Sequence, residues 1–350
     1  MARAALRLER WAARLWFGPP SLGLALARGL LAPLSWITRW IARNRRTQIH
    51  HSKQSCVGVD GGPPVVVIGN LLVGGTGKTP LVMSLARQLL ARGWRPGLLV
   101  RGYRRQEESG VARRVGAEDT AEDIGDEALL LARGTGLPTA VGRNRAEALR
   151  VLQATSDCDV VLSDDGLQHV GLPRSIELAV FDARGVGNGH CLPAGPLREP
   201  LSGTGLLDAL VLNGATTAPP VPHPQVFRFE VQPTAFVSLD GIEVWALSDF
   251  VATANTGRVD ALAGVGFPER VFATLRSLGL RFDAHPLPDH ARIEEAWLAG
   301  LPGAWIVMTE KDAVKCLGFD PALRARCVAI RVEAKIEDGL MDWLEGRLRG

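Results

Sequence analysis

Short apolar runs alternate with amphipathic stretches along the chain from Val65 onward. Apolar runs bounded by glycine, proline or charged residues predict buried strands, and they lie at 65–69, 97–103, 159–165, 176–182 and 208–214. Apolar positions three or four residues apart predict helices, which we place at 79–92, 121–133 and 143–153. Strands that alternate with helices form parallel sheets covered on both faces, so we predict an α/β fold with a parallel sheet core.

The pattern changes after residue 184. Proline and glycine crowd 185–224 and predict irregular structure there, and two closely spaced apolar runs predict a two-stranded linker over 225–257. The alternation then resumes, with strands predicted at 304–312 and 327–333 and helices predicted at 268–278 and from about 336. We therefore predict a larger domain at 47–224 and a smaller C-terminal α/β lobe at 258–350.

Residues 1–46 differ from the rest of the chain in charge and in tryptophan content. The net charge of the 350-residue chain is +3, but this segment has nine arginines and one acid, Glu9, a balance of +8, which leaves −5 for the remainder. It also contains four of the nine tryptophans. Arginines and tryptophans among apolar stretches are typical of a helix in the headgroup region of an anionic membrane. We predict a membrane anchor at 1–46 and no nucleic-acid partner, because the apolar stretches have no role against a polar duplex.

The same segment allows other interpretations. A cleaved signal peptide is disfavoured because the charges are spread along the segment. Arg28 divides the uncharged stretch from Trp16 to Thr38 into pieces shorter than the roughly 20 residues of a membrane span. An amphipathic helix docked on the protein's own core is the alternative to membrane association. Pro33 predicts a kink, and the polar, glycine-containing stretch 47–62 predicts a linker.

The composition indicates a cytosolic globular protein. Apolar residues make up 46% of the chain, enough for a large core in two domains. The five cysteines are scattered and form no C-x-x-C motif, which predicts reduced thiols and argues against disulfides or a zinc site.

The stretch "GNLLVGGTGKTP" (69–80) follows the first predicted strand and resembles a phosphate-binding loop. Its glycines permit tight turns that direct backbone N–H groups inward, Lys78 would reach the β- and γ-phosphates, and Thr79 would ligate Mg²⁺. The strict motif requires glycine at position 72, where this chain has Leu72. The order of strand, glycine loop, Lys-Thr and helix still predicts a P-loop nucleotide site, made of Gly74, Gly75, Thr76, Gly77, Lys78 and Thr79.

Two groups of acids are candidates to serve this loop. Asp164 and Asp165 end a predicted strand, where adjacent carboxylates repel each other unless a cation or hydrogen-bond donors offset the repulsion. We favour Mg²⁺ binding by at least one of them, with Asp182 as a weaker rival and a turn or helix cap as the alternative. Glu122, Asp123, Asp126 and Glu127 open a predicted helix, and one of them could accept a proton from an attacking hydroxyl, while others complement the helix dipole. His290, by spacing alone, is a surface-loop histidine.

With this loop and these acidic stretches, the chain resembles the tetraacyldisaccharide 4'-kinase family, the lipid A 4'-kinases of Gram-negative bacteria. The resemblance rests on stretches that occur in order from about residue 65 to 316, among them "GNLLVGGTGKTP", "DIGDEALLLA", "SDDGLQH", "LPAGPLREP", "PDHARI" and "TEKDAVKC". It implies a P-loop NTPase-like core with a second, smaller α/β lobe and a membrane-associated N-terminal helix. It also implies transfer of the γ-phosphate of ATP, with Mg²⁺, to the 4'-hydroxyl of a tetraacyldisaccharide 1-phosphate, at the cytoplasmic face of the bacterial inner membrane.

The resemblance also implies roles for individual residues. Asp126 would be the general base, with Glu127 beside it in contact with substrate, and His290 would assist. Asp164, Asp165 and Glu199 fall at positions linked to Mg²⁺ or phosphate, together with Thr79. Arg198 and Arg101 are candidate phosphate or substrate contacts. We expect a monomer.

Rival functions are a membrane-recruited regulatory P-loop ATPase, a GTPase and a non-catalytic scaffold. The first would carry a signature lysine where this chain has Val73. The second has only the faint support of "TEKD" (309–312), in which the residue order is wrong for guanine recognition. The third requires that loss of Lys78 leave function intact.

Overall fold

The computed structural model describes residues 11–19, 21–56, 62–103, 111–214 and 219–350. Within these ranges the helices are α1 (Trp11–Phe17), α2 (Leu22–Cys56), α3 (Lys78–Ala91), α4 (Ala121–Ile124), α5 (Asp126–Thr135), α6 (Arg145–Thr155), α7 (Leu247–Ala254), α8 (Pro268–Ser277), α9 (Glu295–Ala299), α10 (Glu310–Ala313), α11 (Pro321–Arg324) and α12 (Asp338–Arg349), with a 3₁₀ helix at Leu201–Leu206. The strands are β1 (Val65–Gly69), β2 (Pro96–Val100), β3 (Arg113–Arg114), β4 (Thr139–Val141), β5 (Val160–Asp164), β6 (Ile176–Asp182), β7 (Ala209–Asn213), β8 (Val226–Ser238), β9 (Val244–Trp245), β10 (Val259–Ala263), β11 (Asp283–Pro286), β12 (Trp305–Thr309) and β13 (Cys327–Ile336).

The described strands form one mixed sheet in the order β11-β10-β12-β13-β8-β7-β6-β1-β5-β2-β4-β3, with β9 paired to β8. The pairs from β8 through β7, β6, β1, β5 and β2 to β4 are parallel, as are those from β11 through β10 and β12 to β13. Antiparallel pairing joins β8 to β13, β8 to β9 and β3 to β4. The predicted α/β fold with a mostly parallel sheet is confirmed.

The central strand β1 shows why these apolar runs form a parallel sheet. Successive side chains of a strand point to opposite faces, and both faces are covered. Val66 and Ile68 pack in a cluster with side chains of α3, α5 and α12, while Val65 and Val67 pack in a second cluster with α6. A strand with no solvent-facing side must be apolar at every position, which is the pattern of "VVVIG".

Strand β8 joins the two halves of the sheet. Its first part, Val226–Phe229, runs parallel to β7, and its remainder pairs antiparallel with β13, with a register shift between Arg331 and Val332. The segment predicted as a two-stranded linker is therefore a shared strand, with the two-residue β9 folded back on it. The larger N-terminal part and the smaller C-terminal part form a continuous sheet.

Helix α2 differs most from the prediction. It continues to Cys56, so the prediction of a linker over 47–62 is wrong for residues 47–56, and residues 57–61 lie outside the described ranges. Pro33 lies within the helix. In its C-terminal half Ala42, Arg46 and Ile49 are buried along one face against the body of the protein. Docking of this face explains how a polar stretch remains helical, since tertiary packing supplies most helical stability.

Large apolar side chains of α2 are exposed outside that docked face, and they are Leu22, Leu26, Leu30, Leu34, Trp36, Ile37, Trp40 and Ile41. In the described part of the chain no single helix has the length and apolar character of a membrane span, although α1 and α2 together meet that test across a 93° bend. Trp16 Nε1 of α1 donates a hydrogen bond to the Pro193 carbonyl at 3.0 Å, which holds the bend against the body.

Candidate active site

The loop between β1 and α3 has the backbone of a phosphate-binding loop. Gly74 and Gly77 adopt left-handed φ angles of 93° and 88°, which side chains disfavour. A Cβ added at Gly77 would also collide with the side-chain amide of Asn213. Helix α3 then begins at Lys78, so its first N–H groups and the positive end of its dipole face the loop.

Side chains from three strand ends hold this loop by its carbonyl groups. Asn70 Nδ2 donates to the Gly74 carbonyl at 3.1 Å, and Asn213 Nδ2 donates to the Thr76 carbonyl at 2.8 Å. Arg184 Nη2 donates to the Gly75 carbonyl at 3.0 Å. These bonds fix the loop before any ligand binds. Sequence analysis identified none of these three donors, although Asn213 ends a predicted strand and Arg184 lies two residues beyond another.

Lys78 and Arg198 meet at Asp165. Arg198 Nη1 donates to the two oxygens of this carboxylate at 2.9 and 3.0 Å, and Lys78 Nζ lies 3.6 Å from Asp165 Oδ1. Burial opposes ionisation of Asp165, but the two cations outweigh it and hold the pKa of its carboxyl well below the usual range. Asp165 has a φ of 52°, which turns the chain sharply after β5. The carboxylate thus keeps two cations beside the loop.

Asp164 has the surroundings of a magnesium ligand. It is buried, its Oδ2 accepts a hydrogen bond from Thr79 Oγ1 at 3.2 Å, and its Oδ1 has no hydrogen-bond partner among the described residues. Burial, with the nearby charge of Glu127, raises the pKa of Asp164 to about 7. A buried carboxylate with an unpaired oxygen favours a cation, and a P-loop threonine plus an acid at a strand end is the donor set that Mg²⁺ takes in such sites. Thr79 and Asp164 therefore fit the ion.

Glu199, a further predicted metal ligand, is engaged elsewhere. Arg46 Nε and Nη2 donate to its two oxygens at 2.9 and 3.0 Å, and Gln168 Nε2 donates to Oε1 at 2.6 Å. Arg46 also pairs with Glu177 at 2.8 Å. This geometry does not support a metal role for Glu199, because its oxygens anchor helix α2 to the body. Within the described ranges no three His, Cys, Asp or Glu side chains are grouped to hold a metal ion.

Asp126 and His290 meet where the two halves of the molecule face each other. The predicted helix 121–133 is broken at Gly125, whose φ of 89° places Asp126 at the start of α5. His290 Nδ1 lies 2.9 Å from both Asp126 oxygens, and Lys315 Nζ lies 3.6 Å from Oδ2. Burial opposes ionisation of Asp126, but the hydrogen bond from His290 and the charges of Lys311 and Lys315 lower the pKa of its carboxyl. Asp126 is therefore a carboxylate at neutral pH.

Lys311, from the strand-to-helix junction after β12, lies on the other side of the His290 ring. Its Nζ is 3.1 Å from His290 Nε2, 3.1 Å from Glu127 Oε1 and 3.2 Å from Asp289 Oδ1. The "TEKDAVKC" stretch thus supplies both lysines around the Asp126–His290 pair, a role that sequence analysis missed. The predicted strand over 304–312 ends at Thr309 instead, and the helical turn of α10 directs Lys311 into the site.

Asp312 of the same turn ties these elements together. Its Oδ2 accepts hydrogen bonds from the Gly264 backbone N–H at 2.9 Å and from Thr309 Oγ1 at 2.7 Å, and Lys315 donates to Oδ1 at 2.8 Å. Gly264 opens the loop that leads to Phe267, whose ring lies under the Arg184 guanidinium at 4.3 Å. The C-terminal half therefore contacts the residues that hold the phosphate loop.

The structure places the remaining predicted contact, Arg101, at the exposed end of β2. Beside it, Arg145 is buried and donates to the Asp164 carbonyl at 3.0 Å, which fixes the end of β5. Burial and the charges of Arg145 and Arg101 lower the pKa of His169 to about 4, so this histidine is neutral at pH 7. Arg101 thus borders the site at its exposed rim.

A cavity of about 1270 Å³ opens beside Asp126 and His290. Its wall combines apolar side chains such as Leu129 and Phe319 with charged ones such as Arg331. Although Asp126 is largely buried, this opening leaves the Asp126–His290 pair facing a space that can admit other molecules.

Comparison with known proteins agrees with this arrangement. The family described as tetraacyldisaccharide-1-P 4'-kinase matches residues 27–349. The tetraacyldisaccharide 4'-kinase of Dechloromonas aromatica is 43% identical over 345 residues, covering 98% of each chain. That of Azotobacter vinelandii is 41% identical over 350 residues, covering 99% of this chain and 98% of the relative.

A solved structure shares the fold. The crystal structure of LpxK from Aquifex aeolicus, described as an "apo" form in complex with ATP, has a TM-score of 0.72 and 25% identity to this chain. The match covers 92% of this chain and 99% of the Aquifex aeolicus chain. The match confirms the predicted P-loop NTPase-like core. A chain with this loop, this acidic strand end and these full-length matches belongs to the tetraacyldisaccharide-1-P 4'-kinase family.

Proposed function

We propose that this protein transfers the γ-phosphate of ATP to the 4'-hydroxyl of a tetraacyldisaccharide 1-phosphate, giving the 1,4'-bisphosphate precursor of lipid A. The oxygen of the 4'-hydroxyl forms a new bond to the γ-phosphorus, the bond from that phosphorus to the β,γ-bridging oxygen breaks, and ADP leaves. The hydroxyl proton passes to a base on the protein. Phosphoryl transfer of this kind depends mainly on positioning and charge neutralisation.

The residues of the loop supply positioning and charge. Backbone N–H groups of Gly74–Thr79 bind the phosphates, and Lys78 moves from Asp165 to the β- and γ-phosphates, leaving Arg198 on that carboxylate. Mg²⁺ held by Thr79 and Asp164 neutralises charge on the phosphate oxygens when it is bound. Arg198, with Arg101 at the rim, is the proposed contact for phosphate or acceptor.

Asp126 is the proposed base. The observation that carries this assignment is the contact between Asp126 and His290 at 2.9 Å, made across the two halves of the molecule. The charge of the adjacent Glu127 contributes to the raised pKa of Asp164, which supports a position of the Asp126–His290 pair beside the proposed metal site. An ionised carboxylate held by a histidine can take the hydroxyl proton late in the reaction, when the attacking oxygen has become acidic.

The exposed apolar face of α2 is the proposed membrane contact. The acyl chains of the acceptor stay in a bilayer, so the enzyme must work at its surface, and Trp36 and Trp40 are each about two-thirds exposed on this face. Arginines on the same helix favour an anionic leaflet. We propose that residues 1–46 lie on the cytoplasmic face of the inner membrane, and that the protein acts as a monomer.

Transfer of label from γ-labelled ATP to extracted tetraacyldisaccharide 1-phosphate tests the activity. We expect labelled bisphosphate with the native protein and far slower labelling with Asp126→Asn. ATP hydrolysis without labelled lipid would instead support the regulatory ATPase. The anchor is tested by Trp36→Gln/Trp40→Gln, which should reduce binding to anionic vesicles. A deletion of 1–46 is a poorer test, because it also removes the buried Arg46.

A further inference from the structure

The environment of Lys311 constrains the protons of the Asp126–His290 pair. Lys311 Nζ lies 3.1 Å from His290 Nε2 and is also within 3.2 Å of oxygens of Glu127 and Asp289. Burial opposes the charge, but these carboxylates outweigh it and hold the pKa of the lysine above its usual range. Lys311 is therefore an ammonium group, which donates hydrogen bonds and accepts none.

A donor at Nε2 determines where the imidazole carries its proton. Nε2 of His290 must accept from Lys311, so a neutral ring has its proton on Nδ1. Nδ1 is the atom that lies 2.9 Å from both Asp126 oxygens, where an N–H donor is required. A doubly protonated ring would instead direct an N–H toward the ammonium at 3.1 Å, and two cations would repel each other.

We propose that Lys311 is a positioning residue that keeps His290 neutral with its proton on Nδ1, so that Asp126 alone receives the proton of the acceptor hydroxyl. The inference rests on the proposed role of Asp126 as base. His290 then orients the Asp126 carboxylate and does not compete for the proton through Nε2. Because the neutral ring forms no ion pair with Asp126, the carboxylate keeps its basicity until the acceptor binds.

The charged groups around the pair explain what removal of Lys311 would do. Asp126 faces His290, Lys311 and Lys315, while His290 faces Asp126, Glu127, Asp289, Lys311 and the ring of Tyr103. Glu127 and Asp289 oxygens lie 3.8 and 3.7 Å from Nε2. Without the ammonium, these carboxylates would favour a proton on Nε2, and the resulting imidazolium would make Asp126 a weaker base.

Nitrogen NMR of the native protein, labelled with ¹⁵N-histidine, tests the tautomer without any change at position 311. His290→Gln identifies the His290 signals by their loss. We expect a neutral ring protonated at Nδ1 from pH 6 to pH 8. A proton on Nε2 over this range, in either a neutral or a charged ring, would overturn the proposal. This readout needs no catalysis, so it is independent of whether the proposed kinase activity is found.

The pH profile of kcat/KM tests the consequence. Lys311→Met should lose severalfold more activity at pH 6 than at pH 8.5, because without the ammonium the carboxylates of Glu127 and Asp289 favour a proton on His290 Nε2 and Asp126 becomes a weaker base. Lys311→Arg keeps a charged donor and should keep the native shape even if kcat falls. Lys335→Met removes an exposed lysine of β13 and should match the native protein. Equal losses at both pH values in Lys311→Met would refute the role, and if that variant does not fold, the NMR result on the native protein decides.

Discussion

The phosphate loop and the Asp126–His290 pair each contain a largely buried lysine, and the two lysines are held differently. Lys78 lies 3.6 Å from Asp165 and makes no hydrogen bond to any described residue, whereas Lys311 is within 3.2 Å of acceptors on Glu127, Asp289 and His290. A cation that must transfer to a phosphate is loosely held, because strong protein bonds would have to break on binding. A cation that arranges other side chains is surrounded by them.

The comparison predicts different costs for removing each kind of cation. Loss of a loosely held cation should reduce catalysis and leave stability nearly intact. Loss of a fully paired one should destabilise the structure or change the ionisation of its neighbours. The following predictions test this division, beginning with the largest expected effect.

Lys78→Ala should reduce kcat/KM for phosphoryl transfer by about a thousandfold, because a preorganised charge on the transferring group is lost. Its melting temperature should stay within about 2 °C of the native value, since Arg198 remains on Asp165. Radiolabel transfer and thermal unfolding measure the two effects, with Lys335→Ala as the matched exposed control. A large fall in the melting temperature would contradict the distinction between loosely held and fully paired lysines.

Asp126→Asn should lower kcat by about a hundredfold to a thousandfold, the usual contribution of a general base. The affinity for ATP should not change, because the phosphate loop and Asp164 are intact. Single-turnover transfer measures the effect on kcat, and nucleotide titration measures the affinity for ATP. A variant that loses ATP binding together with kcat would show that Asp126 serves the nucleotide site instead.

Arg46→Met should destabilise the protein by about 3 kcal/mol, because buried Glu177 and Glu199 lose a paired charge. Arg45→Met, an exposed arginine on the same helix, is the matched control and should change stability by less than about 0.5 kcal/mol. Denaturant unfolding in detergent compares the two. Similar stabilities would mean that Arg46 is not held as the structure shows.

Asp164→Asn should stabilise the metal-free protein at pH 8 by on the order of 2 kcal/mol while abolishing Mg²⁺-dependent transfer. The native carboxyl has a pKa of about 7 against the ordinary 3.8, so the folded state binds the proton more tightly than the unfolded state. Its contribution to stability is full below about pH 4 and is lost as pH rises through 7. The melting temperatures of the native protein and of Asp164→Asn, measured with chelator at pH 5 and pH 8, test this prediction. An equal difference between the two proteins at both pH values would contradict it.

The phosphate-loop half of this comparison could be predicted from the sequence because its parts are contiguous. The strand, glycines and Lys78–Thr79 follow one another, and Asp164 ends an apolar strand. Local backbone geometry forms the loop itself, and the parallel pairing of β1 with β5 brings Asp164 to the same edge of the sheet. The α/β class could also be predicted, because buried parallel strands need apolar residues at every position.

The other half could not be predicted from local patterns, because its contacts join distant segments. Lys311 reaches Glu127 across 184 positions, and Arg46 reaches Glu199 across 153. The family resemblance implied a metal or phosphate role for Glu199, whereas in the structure Arg46 of the N-terminal helix engages its carboxylate. The linker was predicted at 47–62 for a similar reason. Polar composition does not reveal that one face of α2 is docked on the body of the protein.

Strand β8 has a consequence for how the two halves can move. Because it pairs with β7 at one end and β13 at the other, rotation of one half against the other must twist a continuous ladder or break its hydrogen bonds, each worth about 1 kcal/mol. The register shift beside Arg331 already interrupts the regular ladder, so bending at that point should break the fewest hydrogen bonds. The two halves should therefore move against each other mainly by bending of the shared sheet, and the distance from the nucleotide to the base is mostly preset before either substrate arrives.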